Sequence, residues 1–337
     1  MDDRKRRILD FIIQDYVATA VPVGSRTITR KYDIGVSPAT IRNEMSDLEA
    51  LGYLDQPHVS AGRVPSVKAY RLYVDDLIAR ADSLLAPDEE AWRYFAGRLT
   101  QLEDAAQCAA KALSELTRMT SVVMMPSQPD MRITTLQLVP MPKGAALLVM
   151  VTDSGLVRET VLRVSDSLDA DALYAISRSM TETLSGRSVL EVQHMLDAFA
   201  ARGGAQQRVL DGIRELASQM ARQASEDTVF LEGTHNILNF PEYAEVSKAR
   251  SFLSVMEDRK RLLGIIRGDQ ELITVRIGQE LTLPEIDDCS LITVRFELGA
   301  YHGLLGVIGP MRMPYRQTLR TLTTISRSLT DMFASEE

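Results

Sequence analysis

The chain has 337 residues, 45% hydrophobic and 25% charged, with a formal net charge of −8. That is ordinary for a globular protein with room for about two or three domains, and the acidity excludes the whole molecule as a non-specific polyanion binder. Two cysteines, Cys108 and Cys289, stand far apart without a CxxC or Cys/His cluster, so neither a disulfide framework nor a zinc site is indicated.

The charge is uneven. Residues 1–80 hold 12 Lys and Arg against 11 Asp and Glu, so a near-neutral N-terminal module precedes an acidic body. The start, "MDDRKRRILDF", lacks the apolar stretch of a signal peptide, and the longest apolar runs, "AALLVMV" and "GLLGVIGPM", are too short to span a bilayer. A cytoplasmic protein without membrane contact is expected.

In chain order, Ile8, Leu9, Ile12, Ile13, Tyr16 and Val17 recur at three- and four-residue spacing and predict a helix over 3–20. "VPVGS" breaks it, and Ser25 is placed to cap a short second helix, "RTITRKY". Ser37 caps a third helix, with Pro38 at its first position, running to about Gly52. "YLDQPHVSAGRVPS" reads as two short extended pieces, and Ser66 caps a fourth helix. A connector with a further helix fills 81–119. Beyond 120, "RITTLQLVPM", "GAALLVMVTDSGLVRETVLRV", "ELITVRIG", "SLITVRFEL" and "GLLGVIGP" read as strands, with "DSG" a hairpin turn. Residues 168–223 read as helical and 314–333 as a last helix. The fold class is therefore α+β and multidomain, with a helical block interrupting a mostly antiparallel sheet.

Three helices followed by a hairpin is the order of a winged helix-turn-helix, although the same order also serves protein–protein modules. In the third helix Ile41, Met45 and Leu48 share one face, and Ala39, Asn43 and Ser46, flanked by Thr40 and Arg42, share the other. Arg42 can pair with a guanine, Asn43 with an adenine, and Ala39 or Thr40 can meet a thymine methyl. Backbone and wing contacts are expected from Arg4, Lys5, Arg6, Arg7, Arg26, Arg30, Ser37, His58, Ser60 and Arg63. Each of these side chains also has the simpler reading of a solvated surface residue.

No enzyme is indicated. "GLLGVIG" is not GxGxxG, and there is no P-loop, HExxH or EF-hand loop, so no catalytic residue, metal or cofactor is expected. Cys289 in a strand reads as a buried small hydrophobe.

The stretch "VPVGSRTI…VSPATIRNEMSDLEALGYLDQPHVSAGRVPSVKAYRLYVD" resembles the heat-inducible transcription repressors of the HrcA family. So do "FLEGTHNILNFPEY" (230–243) and "IGQE…DDCSLITVRFELGAYHGLLGVIGPMRMPY" (277–315). The resemblance implies a repressor of chaperonin and co-chaperone operons. It would bind an inverted-repeat operator on double-stranded DNA as a homodimer, lose activity on heat stress, and depend on the chaperonin to stay active. It also implies a winged helix-turn-helix domain at 1–80, a helical connector at 81–119, a GAF-like domain at 120–167 and 224–337, and a dimerising insertion at 168–223. Within that insertion Leu184, Val189, Leu190, Leu196 and Phe199 are candidate dimer contacts, and each also suits a core. A small-molecule-sensing GAF-type regulator is the alternative.

Overall fold

The computed structural model describes residues 1–58, 61–80, 102–128, 130–164, 169–198, 205–267, 271–298 and 301–334. Two compact units are present: the described parts of Met1–Gly97, Gln107–Val123 and Val229–Glu337 form unit 1, and those of Arg98–Ala106 and Met124–Thr228 form unit 2.

Unit 1 opens with α1 (Asp3–Thr19), α2 (Ser25–Lys31) and α3 (Pro38–Ala50). The strands β1 (Leu54–Asp55) and β2 (Val64–Pro65) form the hairpin, and α4 (Val67–Ala79) follows. Ile8, Leu9, Ile12, Ile13, Ile28, Ile41, Leu48 and Leu54 are almost wholly buried, so the apolar face of each helix points into one small core. Ser37 and Ser66 cap as the sequence indicates, while α2 begins at Ser25 itself, with Gly24 as its cap residue.

The rest of unit 1 is built on a five-stranded sheet in the order β7-β3-β10-β9-β8. Its strands are β3 (Thr120–Met125), β7 (Thr228–Glu232), β8 (Ile273–Ile277), β9 (Cys289–Leu298) and β10 (Tyr301–Pro310). β9 pairs antiparallel with both β8 and β10. Its helices are α5 (Leu102–Thr117), α9 (Val246–Glu257), α10 (Arg259–Ile266) and α11 (Tyr315–Ala334). α11 lays Leu319, Leu322, Ile325 and Leu329 against the sheet, and all four are buried.

This body is joined to the N-terminal module by charged side chains. Arg312 pairs with Glu242 and donates from Nη1 to the Val17 carbonyl at 3.2 Å. Arg71 donates from Nη1 to the Val275 carbonyl at 2.6 Å and to Glu280 Oε2 at 3.2 Å.

Unit 2 holds a second sheet, β4 (Ile133–Met141), β5 (Ala145–Thr152) and β6 (Val157–Arg163), in the order β4-β5-β6. It also holds α6 (Ala170–Leu184), α7 (Val189–Ala198) and α8 (Ala205–Ser225). Here the structure differs from the sequence reading. Residues 133–163 do not join the C-terminal strands; they share a core with the helices expected to form a separate block. The reason is local. Turns at 142–144 and 153–156 fold β4, β5 and β6 into consecutive hairpins, with Gly144 at φ 66° and Gly155 at φ 73°. One face of the resulting sheet carries Leu136, Leu138, Ala146, Leu148 and Met150, which share a core with residues of α6–α8.

Candidate nucleic-acid interface

α3 begins where its sequence places it. The Ser37 hydroxyl accepts a bond from the Thr40 amide at 3.2 Å and lies 3.0 Å from the Thr40 hydroxyl. Pro38 then occupies a position whose missing N–H removes no helical bond. Ile41, Met45 and Leu48 bury one face. Ala39, Arg42, Asn43 and Ser46 are exposed on the other, and Thr40 is half-buried beside its cap. Arg42 and Asn43 make no side-chain bond to another described residue, and the Ser46 hydroxyl turns back to the Arg42 carbonyl at 3.1 Å. The first two turns of α3 thus present a free guanidinium, a free amide and a small side chain to solvent.

The wing is fixed against this helix. Val23 and Arg63 exchange backbone bonds of 2.9 and 2.8 Å, giving the hairpin a third bridging partner. Gly62 permits that approach, since a Cβ there would lie 2.4 Å from the Val23 carbonyl oxygen. At the helix end, Lys68 donates to the Leu51 carbonyl at 2.9 Å and Ser66 to the Gly52 carbonyl at 2.7 Å.

The cations divide into two sets. Arg7, Arg26 and Arg30 are exposed, without an ion pair among the described residues. The others differ from the expectation of free phosphate ligands. Lys5 Nζ sits 2.9 Å from Glu44 and 3.1 Å from Asp47, and these two carboxylates, Glu44 foremost, hold its pKa above the ordinary lysine value. Arg6 pairs with Asp76, and Arg4 lies 3.7 Å from Glu44. Arg63 donates from Nε to Glu49 Oε2 at 2.9 Å, with Nη2 at 2.7 Å from the same oxygen. Ser37 is spent on its cap. His58 is exposed at the wing, and Ser60 lies outside the described residues. For Arg4, Lys5, Arg6 and Arg63 the cause is the same: the acids of α3 and α4 lie within reach of these bases once the helices pack. The pairing of Glu44, Asp47 and Glu49 with these bases was not expected, because nothing local marks a carboxylate whose partner comes from another element.

The dimer candidates also resolve differently. Leu184, Val189 and Leu196 are buried within the core of unit 2, Leu190 packs against it, and Phe199 lies outside the described residues. Leu184, Val189, Leu190 and Leu196 pack in or against that core, the other reading that their apolar character left open. Exposed apolar groups of unit 2 lie on the outer face of its sheet, where Val139, Met141 and Val161 are 43%, 42% and 59% exposed, and on α6, where Tyr174 is 70% exposed. Register places Val139, Leu147 and Val161 in one row across the three strands.

Among the described residues the groups raised as enzyme candidates form no catalytic cluster. Cys289 is buried, and burial pushes its thiol up, away from reactivity. Among the described residues no group of three His, Cys, Asp or Glu is placed to hold a metal ion, and no helix is long and apolar enough to cross a membrane. A groove of about 590 Å³ beside α9 is lined by Leu238, Tyr243, Val246, Arg250 and Glu257 among others, and both charged groups are exposed.

Comparison with known proteins agrees with this architecture. Residues 103–319 match the family model described as the HrcA protein C-terminal domain. The heat-inducible transcription repressor HrcA of Carboxydothermus hydrogenoformans is 38% identical over 338 residues, covering 100% of this chain and 99% of that one. Its counterpart in Desulfitobacterium hafniense is 36% identical, covering 98% and 97%. A crystal structure described as that of a hypothetical protein shares the fold, with a TM-score of 0.79, 24% identity and complete coverage of both chains. The chain therefore belongs to the HrcA family of heat-inducible transcription repressors, which are not enzymes.

Proposed function

We propose that the chain represses chaperonin and co-chaperone operons by binding an inverted-repeat operator as a homodimer. Residues 1–80 act as the DNA-binding domain. α3 enters the major groove, with Arg42, Asn43, Ser46, Ala39 and Thr40 at the base edges. Arg7, Arg26 and Arg30, with His58 at the wing, meet the backbone. The observation that carries this reading is the exposed, unpaired Arg42–Asn43 edge on the first two turns of a capped helix beside a wing.

An inverted repeat mirrors a two-fold protein, and one winged module reads one half-site. The apolar outer face of the unit 2 sheet is the dimer surface in this reading, since exposed Val139, Met141 and Val161 would be covered by a second copy. The body on the five-stranded sheet acts as the GAF-like domain, and the protein works in the cytoplasm. Heat lowers repression because the chaperonin that keeps the repressor folded is diverted to other unfolded chains.

The test is transcription in vitro from a promoter carrying the family's inverted repeat. Purified protein represses at growth temperature, loses repression after a heat step, and regains it when chaperonin and ATP are supplied. Repression that survives the heat step, or never depends on the chaperonin, contradicts the chaperonin reading. Repression of a promoter with the repeat shuffled contradicts operator specificity.

A further inference from the structure

α3 carries three acidic residues, Glu44, Asp47 and Glu49. Two of them lie along the stripes that hold the proposed base readers. Asp47 is one turn beyond Asn43, and Glu49 two turns beyond Arg42. A helix bearing unpaired carboxylates at both edges of its reading face would meet phosphates with like charge. In this structure neither edge is unpaired. Lys5, from α1, lies within 3.1 Å of both Glu44 and Asp47, and its side chain is only 20% exposed. Arg63, from β2, holds Glu49 at 2.7 Å, with its side chain 17% exposed. The two cations come from opposite neighbours of α3, and each is half-withdrawn from solvent. A phosphate ligand would look different: exposed and without an acid partner, as Arg7, Arg26 and Arg30 are.

We propose that Lys5 and Arg63 are positioning residues for DNA reading: they offset the charge of the carboxylates at the edges of the reading face, hold α3 against α1 and the wing, and take no phosphate themselves. This rests on α3 being the reading helix. Ion pairs this close to solvent contribute little to fold stability. Their consequence is for the charge that the helix presents to the groove.

The distinction is measurable because a phosphate contact has a salt signature and an internal pair does not. Each phosphate neutralised adds about 0.9 to the slope of log K against log salt. The experiment uses the full chain and a fluorescent duplex carrying the inverted repeat, titrated at a series of KCl concentrations, with circular dichroism confirming the fold. The variants are Lys5→Met and Arg63→Met, and two charge-compensated sets: Lys5→Met with Asp47→Asn, which leaves Glu44 beside Arg4, and Arg63→Met with Glu49→Gln. Arg30→Met is the reference for a phosphate ligand.

The single cation variants are expected to bind roughly tenfold more weakly, and the slope is read on the charge-compensated sets, where it stays wild-type. The compensated sets are expected to return to within a few-fold of wild type, because carboxylate and cation leave together. If a single variant fails to fold, its compensated set carries the test alone: the slope stays wild-type under this proposal and falls by about 0.9 if the cation met phosphate. Compensated sets with a lowered slope and no rescue overturn the proposal, as do single variants indistinguishable from wild type. Failure of the underlying reading looks different, since wild type would then bind the repeat and a shuffled duplex equally.

Discussion

Arg42 and Asn43 stand out in the structure for what they lack. Most charged groups around α3 are paired, whereas these two side chains make no bond to a described residue. Their exposure was legible in the sequence, because Ile41, Met45 and Leu48 at helical spacing leave only one orientation for a capped helix starting at Pro38. The pairing of Lys5 with Asp47 and of Arg63 with Glu49 was not legible. It joins residues on different elements, and sequence spacing says nothing about which base meets which acid. As base readers, Arg42 and Asn43 should each contribute about 1–3 kcal/mol of discrimination between operator and wrong sequence. Replacing both with Ala is therefore expected to remove most sequence preference while leaving the helix, whose buried face is untouched, in place.

Elements were legible where their pattern was periodic. β4, β5 and β6, and the helices flanking them, follow from alternation, turn glycines and helical spacing. β3 did not follow: all six of its residues, Thr120–Met125, are buried, so no alternation betrays it. The segment "GTHN" resembled the family without a visible reason, and the structure supplies one. Gly233 has φ 67°, a Cβ there would lie 1.9 Å from the Ser114 hydroxyl, and Asn236 Nδ2 donates to that hydroxyl at 3.1 Å and to the Met119 carbonyl at 3.2 Å. It ties the turn after β7 to α5 and the start of β3. The wing gives the sharpest element-level prediction. In Gly62→Ala the added Cβ meets the Val23 carbonyl, which cannot rotate away, so the Val23–Arg63 bridge must open. A loss of about 1–3 kcal/mol in urea unfolding is expected, together with weaker operator binding. Unchanged stability would mean that the wing does not depend on this bridge.

For the whole molecule, sequence patterning separated an N-terminal module from an α+β body. It did not show that the body contains two sheets with two cores. Apolar strands look alike whichever sheet they join, and only the topology assigns them. For the same reason the candidate dimer residues Leu184, Val189 and Leu196 read equally as core, where the structure buries them, and the row of Val139, half-buried Leu147 and Val161 across the three strands had no mark in the sequence. That row carries the prediction at this scale. Val161 is 59% exposed in the single chain, so Val161→Lys should leave the fold intact and place a charge inside the proposed dimer surface. Analytical ultracentrifugation at micromolar concentration is expected to show a dimer for wild type and a monomer for the variant. A variant that remains dimeric places the two-fold contact elsewhere.

The central claim is that α3 reads sequence through Arg42 and Asn43. Fluorescence anisotropy tests it most directly, at one near-physiological salt concentration and with chaperonin present to keep the repressor active. Two duplexes are compared, one with the family's inverted repeat and one with the same bases shuffled. Wild type is expected to prefer the repeat by orders of magnitude, and Arg42→Ala with Asn43→Ala to bind both duplexes alike. A folded double variant that keeps the wild-type preference would contradict the claim.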